Sequence, residues 1–191
     1  MLDTSWNYCG SNGESPMMTL VPTPMLKDFR SYSAVDLYGL FQEIYSSSDG
    51  MSELLEDKYP DIRRLEEDVE ALYRLPGAVA LIVEVDGKPA GYLIIRPRTQ
   101  ARLRHTAELS MGVAPAARGK GLGGLMLQAA FDRVAAESAI EIVYLMVRAD
   151  NQAAIRLYRN AGFEQLAVLD RDTKVDDSYR DGVLMRKFVR R

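Results

Sequence analysis

The sequence has few of the residues that build disulfides and metal sites. Its 191 residues include one cysteine, Cys9, and one histidine, His105. A single cysteine cannot form an intramolecular disulfide, and one cysteine with one histidine cannot make a zinc cluster. We therefore expect neither a disulfide framework nor a bound metal, and the default expectation is a reducing, cytoplasmic setting.

Long apolar runs and a strong charge of one sign are also lacking. The longest apolar runs, such as residues 78–83, are too short to span a bilayer. Residues 1–16 have no basic start followed by an apolar stretch, which argues against a secretory signal. A net charge of −3 provides no positive field for nucleic acid or an anionic membrane. We expect neither of these partners.

What is present is the composition of a globular protein, with 47% hydrophobic and 27% charged residues. The length fits one domain with a core that needs no cross-links. Residues 1–18 are rich in serine, asparagine and glycine and have no periodicity, which predicts a loose tail. We expect a single domain over residues 19–191.

The apolar periodicity predicts a mixed α/β domain. Residues 19–21 indicate a short strand, limited by the prolines that follow, and Ser33 is a suitable cap for a first helix. A second helix is predicted over 61–74, with an acidic face that we interpret as solvated. The apolar positions of the first helix are Val35, Leu37, Leu40, Phe41 and Ile44.

The second half of the chain predicts strands that alternate with helices. Two β-rich runs flank the turn Asp86-Gly87, and the following strand alternates between apolar and polar residues. The predicted strands are 78–85, 90–95, 104–113, 140–147, 163–169 and 182–189, and the predicted helices are 121–137 and 151–160.

A glycine-rich turn joins the alternating strand to the long helix. Glycines let successive backbone N–H groups converge, and the helix N-terminus adds a partial positive charge. Arg118 and Lys120 add two cations. This turn favours a phosphate or pyrophosphate ligand.

Two common phosphate-binding motifs fit this turn poorly. The P-loop pattern fails because the glycine spacing is wrong and neither serine nor threonine follows Lys120. Gly119, Gly121 and Gly124 match the dinucleotide pattern, but the acidic residue expected about 20 residues on is missing, since Asp150 falls later.

A third interpretation uses two separate blocks of sequence. Arg118-x-x-Gly121-x-Gly123, after a buried strand, resembles the acetyl-CoA pyrophosphate loop of the GNAT superfamily of N-acetyltransferases. A second block also matches the family's pattern, in the right order and spacing. Its matching residues are Asn151, Ala154, Tyr158, Gly162 and Phe163. The resemblance covers residues 78–189.

The resemblance implies a fold and an activity. The fold is an α/β (α+β) domain with a mostly antiparallel, partly split sheet of about six or seven strands, flanked by about four helices. The activity is direct transfer of acetyl from acetyl-CoA to a primary amine in a ternary complex, with no acyl-enzyme. Cys9 lies in the predicted tail and is not expected to act as a nucleophile.

The resemblance also implies which residues contact acetyl-CoA. The main chain of the strand would bond the pantetheine arm, the N–H groups of the turn would bond the pyrophosphate, and Asn151 would cap its helix and touch the arm. The cofactor-binding residues are therefore predicted to be Met111, Val113, Arg118, Gly119, Lys120, Gly121, Leu122, Gly123, Gly124, Asn151 and Ala154.

Two residues are candidates for proton transfer. Tyr158 matches a tyrosine that many family members place near the thioester sulfur, where a phenol can protonate the leaving thiolate. Glu108 is the candidate base that takes a proton from the amine through water, although a solvated or salt-bridged glutamate explains it equally well. His105 is interpreted as a packed structural residue.

The acceptor stays open at the level of sequence. A small-molecule amine is favoured over a protein amine, and the pair Tyr179 and Asp181 could line its pocket. Dimers are common among relatives, so a homodimer is compatible with the resemblance. Two other functions also remain: a non-catalytic acetyl-CoA-binding module, and a nucleotide-dependent enzyme that uses the same glycine turn.

Overall fold

The computed structural model describes residues 23–48, 50–51 and 53–189. The predicted tail, the predicted strand over 19–21 and Cys9 lie outside these residues. In chain order, the elements are β1 (Met25–Asp28), α1 (Ala34–Ser46), α2 (Leu55–Lys58), α3 (Ile62–Tyr73), β2 (Val79–Val85), β3 (Lys88–Pro97), β4 (Thr106–Val113), α4 (Leu122–Glu137), β5 (Ile142–Arg148), α5 (Gln152–Asn160), β6 (Glu164–Val175) and β7 (Ser178–Phe188), with 3-10 turns at Phe29–Ser31 and Pro115–Ala117.

The seven strands form one sheet in the order β1-β2-β3-β4-β5-β7-β6. Every neighbouring pair is antiparallel except β4 and β5, which run parallel and pair only over residues 106–108 and 142–144. The expected mostly antiparallel, partly split sheet is therefore confirmed. None of the helices in the described ranges is long and apolar enough to cross a membrane.

Helices cover both faces of this sheet. On one face, α4 and α5 pack against the side chains of β2 to β5, and on the other face α1 and α3 cover β2 and β3. Within β2, Leu81 belongs to the first core and Ile82 to the second. Since both of its faces are buried, β2 is continuously apolar from Val79 to Val83.

The start of α1 follows from its first residues. The Asp36 N–H donates to Ser33 Oγ at 3.2 Å and the Ser33 N–H donates to Asp36 Oδ2 at 3.3 Å, a reciprocal capping box. The predicted apolar stripe is buried except for Val35, which is 64% exposed. Val35 lies in the first turn and does not belong to the buried stripe, which consists of Leu37, Leu40, Phe41 and Ile44.

Two elements differ from the expectation. The four-residue α2 is too short to show a helical period, so the observed α-helices number five in the described chain rather than about four. The β6–β7 hairpin is also longer than its two apolar runs. Its outer part is a largely exposed ribbon with a bulge between Leu169 and Thr173, and an exposed ribbon needs no apolar alternation.

The edge strand β1 is held to the sheet by a buried carboxylate. Glu84 of β2 accepts from Lys27 Nζ at 2.7 Å and from the Tyr32 hydroxyl at 2.6 Å. The hydrogen bonds from Lys27 and Tyr32 lower the pKa of the Glu84 carboxyl. A lowered pKa means that this contact stabilises the fold at neutral pH and is lost as the pH falls through the folded-state value.

The contact between α1 and β4 depends on a glycine. A Cβ at Gly112 would lie 2.6 Å from Ile44 Cγ2 and 3.0 Å from Tyr92 Cε1, both in fully buried side chains. We predict that Gly112→Ala lowers the free energy of unfolding by about 1–3 kcal/mol, because the helix or the ring must move. Urea denaturation measures this change.

Gly39 provides the matched control, because it lies on the exposed side of α1 and a Cβ there meets no atom within 4 Å. Gly39→Ala should raise the free energy of unfolding by about 0.5–1 kcal/mol, because alanine has less backbone conformational entropy to lose on folding than glycine has. Equal stability changes at the two glycines would contradict the packing argument.

Candidate active site

The site begins where β4 and β5 separate. The Ala114 N–H donates to Ala90 O of the neighbouring β3 segment at 2.9 Å. Because backbone groups alternate in direction along a strand, Met111 and Val113 turn their N–H and C=O groups to the other side. On that side the pairing with β5 has ended at residue 108. The strand thus presents a polar main-chain edge that a ligand can bind.

The glycine turn continues this polar edge. Gly119 and Gly121 have φ of +75° and +77°, and a Cβ at either position would meet no atom within 4 Å. Gly121 is the N-cap of α4, and no side-chain hydrogen bond from the described residues caps that helix. The first N–H groups of α4 are therefore left for an anion. This open cradle fits a pyrophosphate.

Arg118 fixes the position of the turn. Its Nε donates to Val113 O at 3.0 Å, and its Nη2 donates to Ser47 Oγ just after α1 at 2.9 Å. One guanidinium therefore joins the glycine turn, the end of β4 and the end of α1. Lys120, the other cation of the turn, is not among the residues that line the cavity described next.

A cavity of about 890 Å³ extends from the turn along β4 and reaches both faces of the sheet through the split. It brings together both sequence blocks. The predicted site residues that line it are Glu108, Met111, Val113, Arg118, Gly119, Gly121, Leu122, Gly123, Gly124, Asn151, Ala154 and Tyr158. The structure therefore gathers every predicted catalytic and cofactor-binding residue except Lys120 around one cavity.

The second block lies on the wall opposite β4. Asn151 Oδ1 accepts from the Ala154 N–H at 3.1 Å and caps α5, as predicted. Tyr158 lines the cavity but is only 8% exposed, with its ring 5.7 Å from the Phe163 ring. Burial raises the pKa of the Tyr158 phenol, so this side chain stays protonated at physiological pH.

Glu108 is an exposed, salt-bridged residue at the edge of the cavity. Arg98 donates to Glu108 Oε1 from Nη2 at 2.6 Å and from Nε at 3.1 Å. A salt-bridged glutamate is one of the two interpretations of Glu108 that the sequence left open, the other being a base that takes a proton from the amine. The carboxylate nevertheless lines the cavity on the face covered by α1.

The structure corrects the interpretation of the acidic helix face. Asp68 of α3 points inward and accepts from Arg96 Nη2 at 2.6 Å and from the Tyr59 hydroxyl at 2.9 Å. Arg96 and Tyr59 both line the cavity, so Asp68 supports its wall. The helical periodicity and the charges of the sequence could not distinguish Asp68 from the solvated acidic residues beside it.

Sequence reasoning did not single out the members of a further group of lining residues as site residues. They belong to α1, to the segment around α2 and to the strand face below these helices, and they include Ile44, Tyr45, Lys58, Arg96, Arg98, Tyr144 and Met146. One available signal was the pair of arginines at the end of an apolar strand, where charge is unusual unless it faces a cavity.

Three other residues do not contribute to the cavity lining. The alternation of the predicted strand puts His105 on the same face as the apolar residues, which suggested a packed side chain. In the structure it precedes β4 and is partly exposed, so this argument does not apply to it. Tyr179 and Asp181 lie on the outer part of the β6–β7 hairpin and are absent from the lining. Their suggested place in an acceptor pocket was wrong.

Comparison with curated proteins finds relatives over about half of the chain. An N-alpha-acetyltransferase of Sulfurisphaera tokodaii is 32% identical over 48% of this chain and 60% of its own length. The N-alpha-acetyltransferase RimI of Mycobacterium tuberculosis is 36% identical over 41% of this chain and 46% of its own. A spermidine N(1)-acetyltransferase of Escherichia coli is 29% identical over 56% of each. The chain thus matches 46–60% of these proteins' lengths.

Solved structures share the fold at low sequence identity. A GNAT-family acetyltransferase from Streptococcus pneumoniae superposes with a TM-score of 0.80 at 22% identity, over 87% of this chain and 99% of that chain. A putative acetyltransferase from Salmonella typhimurium, solved with its cofactor acetyl-CoA, gives 0.77 at 23% identity, over 89% and 95%.

The family assignment itself comes from the sequence match. Residues 40–163 match the family described as "Acetyltransferase (GNAT) family". This match begins within α1, includes both sequence blocks and the split strands, and covers well over half of the 191 residues. The chain therefore belongs to the acetyltransferase (GNAT) family.

Proposed function

We propose that this protein is an acetyl-CoA-dependent N-acetyltransferase that acetylates a small-molecule amine by direct attack. The observation that carries the proposal is the continuous polar edge that runs from Met111 and Val113 into the open glycine turn. The edge of β4 suits the extended pantetheine arm, and the glycine turn suits the diphosphate. Membership of the family supports the same ligand, acetyl-CoA.

In this proposal the cofactor is held mainly by main-chain groups. Met111 and Val113 bond the pantetheine arm, and the N–H groups from Arg118 to Gly124 bond the pyrophosphate. Asn151 and Ala154 line the facing wall. Acetyl-CoA supplies an activated acetyl thioester, so no nucleophilic side chain is needed.

Tyr158 is the proposed acid. The residue lines the cavity, and burial raises the pKa of the phenol and so keeps it in its protonated, donor form. A thiol has a pKa of about 8.5 in water, so a departing thiolate is a base that a hydrogen-bond donor stabilises. Tyr158 donates to the leaving sulfur as the amine forms its new bond to the acetyl carbon.

The amine must lose a proton before or during its attack. For an amine with a pKa of about 10.4, deprotonation at pH 7 costs about 4–5 kcal/mol. Glu108 is the proposed acceptor of this proton, directly or through water, because it is the carboxylate that β4 itself carries into the cavity.

Some relatives are named for a small acceptor, whereas two others are named N-alpha-acetyltransferase. Among curated relatives are a spermidine N(1)-acetyltransferase of Escherichia coli and a mycothiol acetyltransferase of Clavibacter michiganensis, the latter 36% identical over 55% of this chain and 30% of its own length. The cavity on the α1 face is bounded by α1 and the segment around α2, which suits a small molecule better than a protein chain.

The first prediction concerns binding of acetyl-CoA. We expect micromolar affinity by calorimetric titration, with CoA bound and NADH not bound. Gly121→Ala should weaken acetyl-CoA binding by about tenfold or more, because a left-handed backbone strains alanine by about 1–2 kcal/mol and displaces the turn.

The matched control is Gly87→Ala. Gly87 has φ of +75° and open surroundings like Gly121, but it lies in the β2–β3 turn, away from the cavity. Both variants should lose similar stability, and only Gly121→Ala should lose affinity. Binding of NADH in preference to acetyl-CoA would mean that the turn serves a nucleotide-dependent enzyme instead.

The second prediction concerns Tyr158. Tyr158→Phe should lower kcat by about 10²- to 10⁴-fold while acetyl-CoA affinity stays nearly constant, because only the proton donor is removed. Steady-state release of CoA thiol gives the rate. Tyr92→Phe is the control, since Tyr92 is equally buried but lies outside the cavity lining. Unchanged turnover in Tyr158→Phe would rule out the acid role.

The third prediction concerns pH. Because burial raises the Tyr158 pKa above its ordinary value of about 10, the phenol keeps its proton throughout the usual assay range. We expect kcat to rise with pH as the amine deprotonates and to show no fall up to about pH 10. A rate profile that falls between about pH 8 and 9.5, in an enzyme still folded by circular dichroism, would contradict this assignment.

A further inference from the structure

We propose that the acceptor is a zwitterion of the α-amino acid type, whose carboxylate is recognised by Arg98 and Arg96 while its amine faces Glu108. This inference rests on the proposed acetyl transfer and specifies the substrate class at the same cavity. It is carried by the arrangement of charges on one face of the sheet.

The strand register places these charges together. In the β3–β4 ladder Arg96 is opposite Glu108, and in the β4–β5 ladder Glu108 is opposite Tyr144. Arg98 is two residues beyond Arg96 and therefore has the same orientation. All four residues line the cavity, on the face away from α4. These four residues form the wall of the part of the cavity that lies beneath α1.

Arg98 and Glu108 present adjacent charges of opposite sign. An α-amino acid also carries adjacent opposite charges, so its carboxylate can meet Arg98 while its ammonium group meets Glu108. The existing ion pair is partly exposed, with side-chain exposures of 37% and 61%, and such pairs contribute little to stability. A ligand can therefore take over one partner at low cost.

The two side chains also have unused hydrogen-bonding capacity. Both contacts from Arg98 fall on Glu108 Oε1, so Glu108 Oε2 takes no part in this pair. When a ligand carboxylate engages Arg98, the Glu108 carboxylate becomes available to the amine. The acceptor that binds best is thereby the one that frees the proposed base.

Arg96 supplies a second, more rigid cation. Its Nη2 is held by Asp68, and Asp68 is in turn held by the hydroxyl of the buried Tyr59. A guanidinium has five N–H donors in a planar fork, and this anchor uses one nitrogen. The fork is thus oriented before a ligand arrives, as recognition of a carboxylate requires.

The same charges disfavour a polyamine. Lys58 also lines the cavity, so Lys58, Arg96 and Arg98 place three cations beneath α1, and among the residues that the structure describes the lining carboxylates are Glu53 and Glu108. Each of these carboxylates already has a basic neighbour within 4 Å. A molecule with several ammonium groups would meet like charges, whereas a carboxylate would meet Arg96 and Arg98. Apolar residues complete the wall and leave room for a side chain: Ile44, Met146 and Leu184.

The experiment compares acceptors that differ only in the carboxylate. Each common α-amino acid is assayed with acetyl-CoA beside its carboxamide and beside the amine that lacks the carboxylate, with spermidine as the polyamine. CoA thiol release gives kcat/KM. For the preferred amino acid we expect kcat/KM about 10- to 100-fold above its amide and its amine, as charge-assisted hydrogen bonds provide.

The variants test which side chains carry this preference. Arg98→Gln and Arg96→Gln should each lower the ratio of kcat/KM for the acid to kcat/KM for its amide about 10- to 100-fold, through the KM of the acid. Arg98→Lys should restore part of the preference, because the charge returns without the fork. Thermal unfolding and acetyl-CoA titration show whether each variant remains folded and binds its cofactor.

Arg186→Gln is the matched control. Arg186 lies on the same sheet face, opposite Tyr144, and donates to Glu164 at 2.8 Å, but it does not line the cavity. Its substitution should leave the acid preference intact. A loss equal to that in Arg98→Gln would mean a general electrostatic effect and would overturn the inference.

The outcomes separate this inference from the proposed function. If acetyl-CoA binds but amides, simple amines or spermidine are acetylated as well as the acids, the carboxylate inference is wrong and acetyl transfer stands. If acetyl-CoA binds and no amino acid is acetylated, the inference is likewise wrong. If acetyl-CoA does not bind, the proposed function itself fails.

Discussion

The early end of the pairing between β4 and β5 is the constraint on which the site depends. A backbone N–H or C=O group inside a protein needs a partner, and a sheet normally provides it. Here the two parallel strands share only residues 106–108 and 142–144, and beyond them the edge of β4 faces a cavity. The same separation opens a passage between the sheet faces. A donor molecule bound along the edge and an acceptor beneath α1 can therefore meet at one point.

The helices preserve this opening from both sides. On one face α4 begins at the glycine turn, with its first N–H groups directed at the cavity, and its length packs against β2 to β4. On the other face α1 lies close to β4 at Gly112 and ends near Arg118. The large apolar cores on each face hold these helix ends in place, so the flexible-looking glycine turn is anchored at both ends by rigid elements.

Much of the fold and the part of the candidate site around the glycine turn could be predicted from the sequence, because both depend on local patterns. Strand alternation, the Ser33 cap and the glycine turn are each encoded within a few residues. The part of the cavity beneath α1 could not be predicted in this way. Asp68 lies nine residues from Tyr59 but 28 from Arg96, and the contact between Asp68 and Arg96 exists only after α3 packs on the sheet. Their individual patterns are those of surface charge and core, and only tertiary structure distinguishes them.

The bridge made by Arg118 has a consequence for how two ligands would influence each other. Its guanidinium bonds the end of β4 and Ser47, so the turn and the helix end share one set of hydrogen bonds. Any ligand that shifts this guanidinium changes the free energy of the region beneath α1, and a ligand beneath α1 must change the affinity of the turn by the same factor. Arg118 thereby couples ligand binding at the glycine turn to ligand binding beneath α1. The order in which two ligands bind then depends on this coupling as well as on access to the cavity.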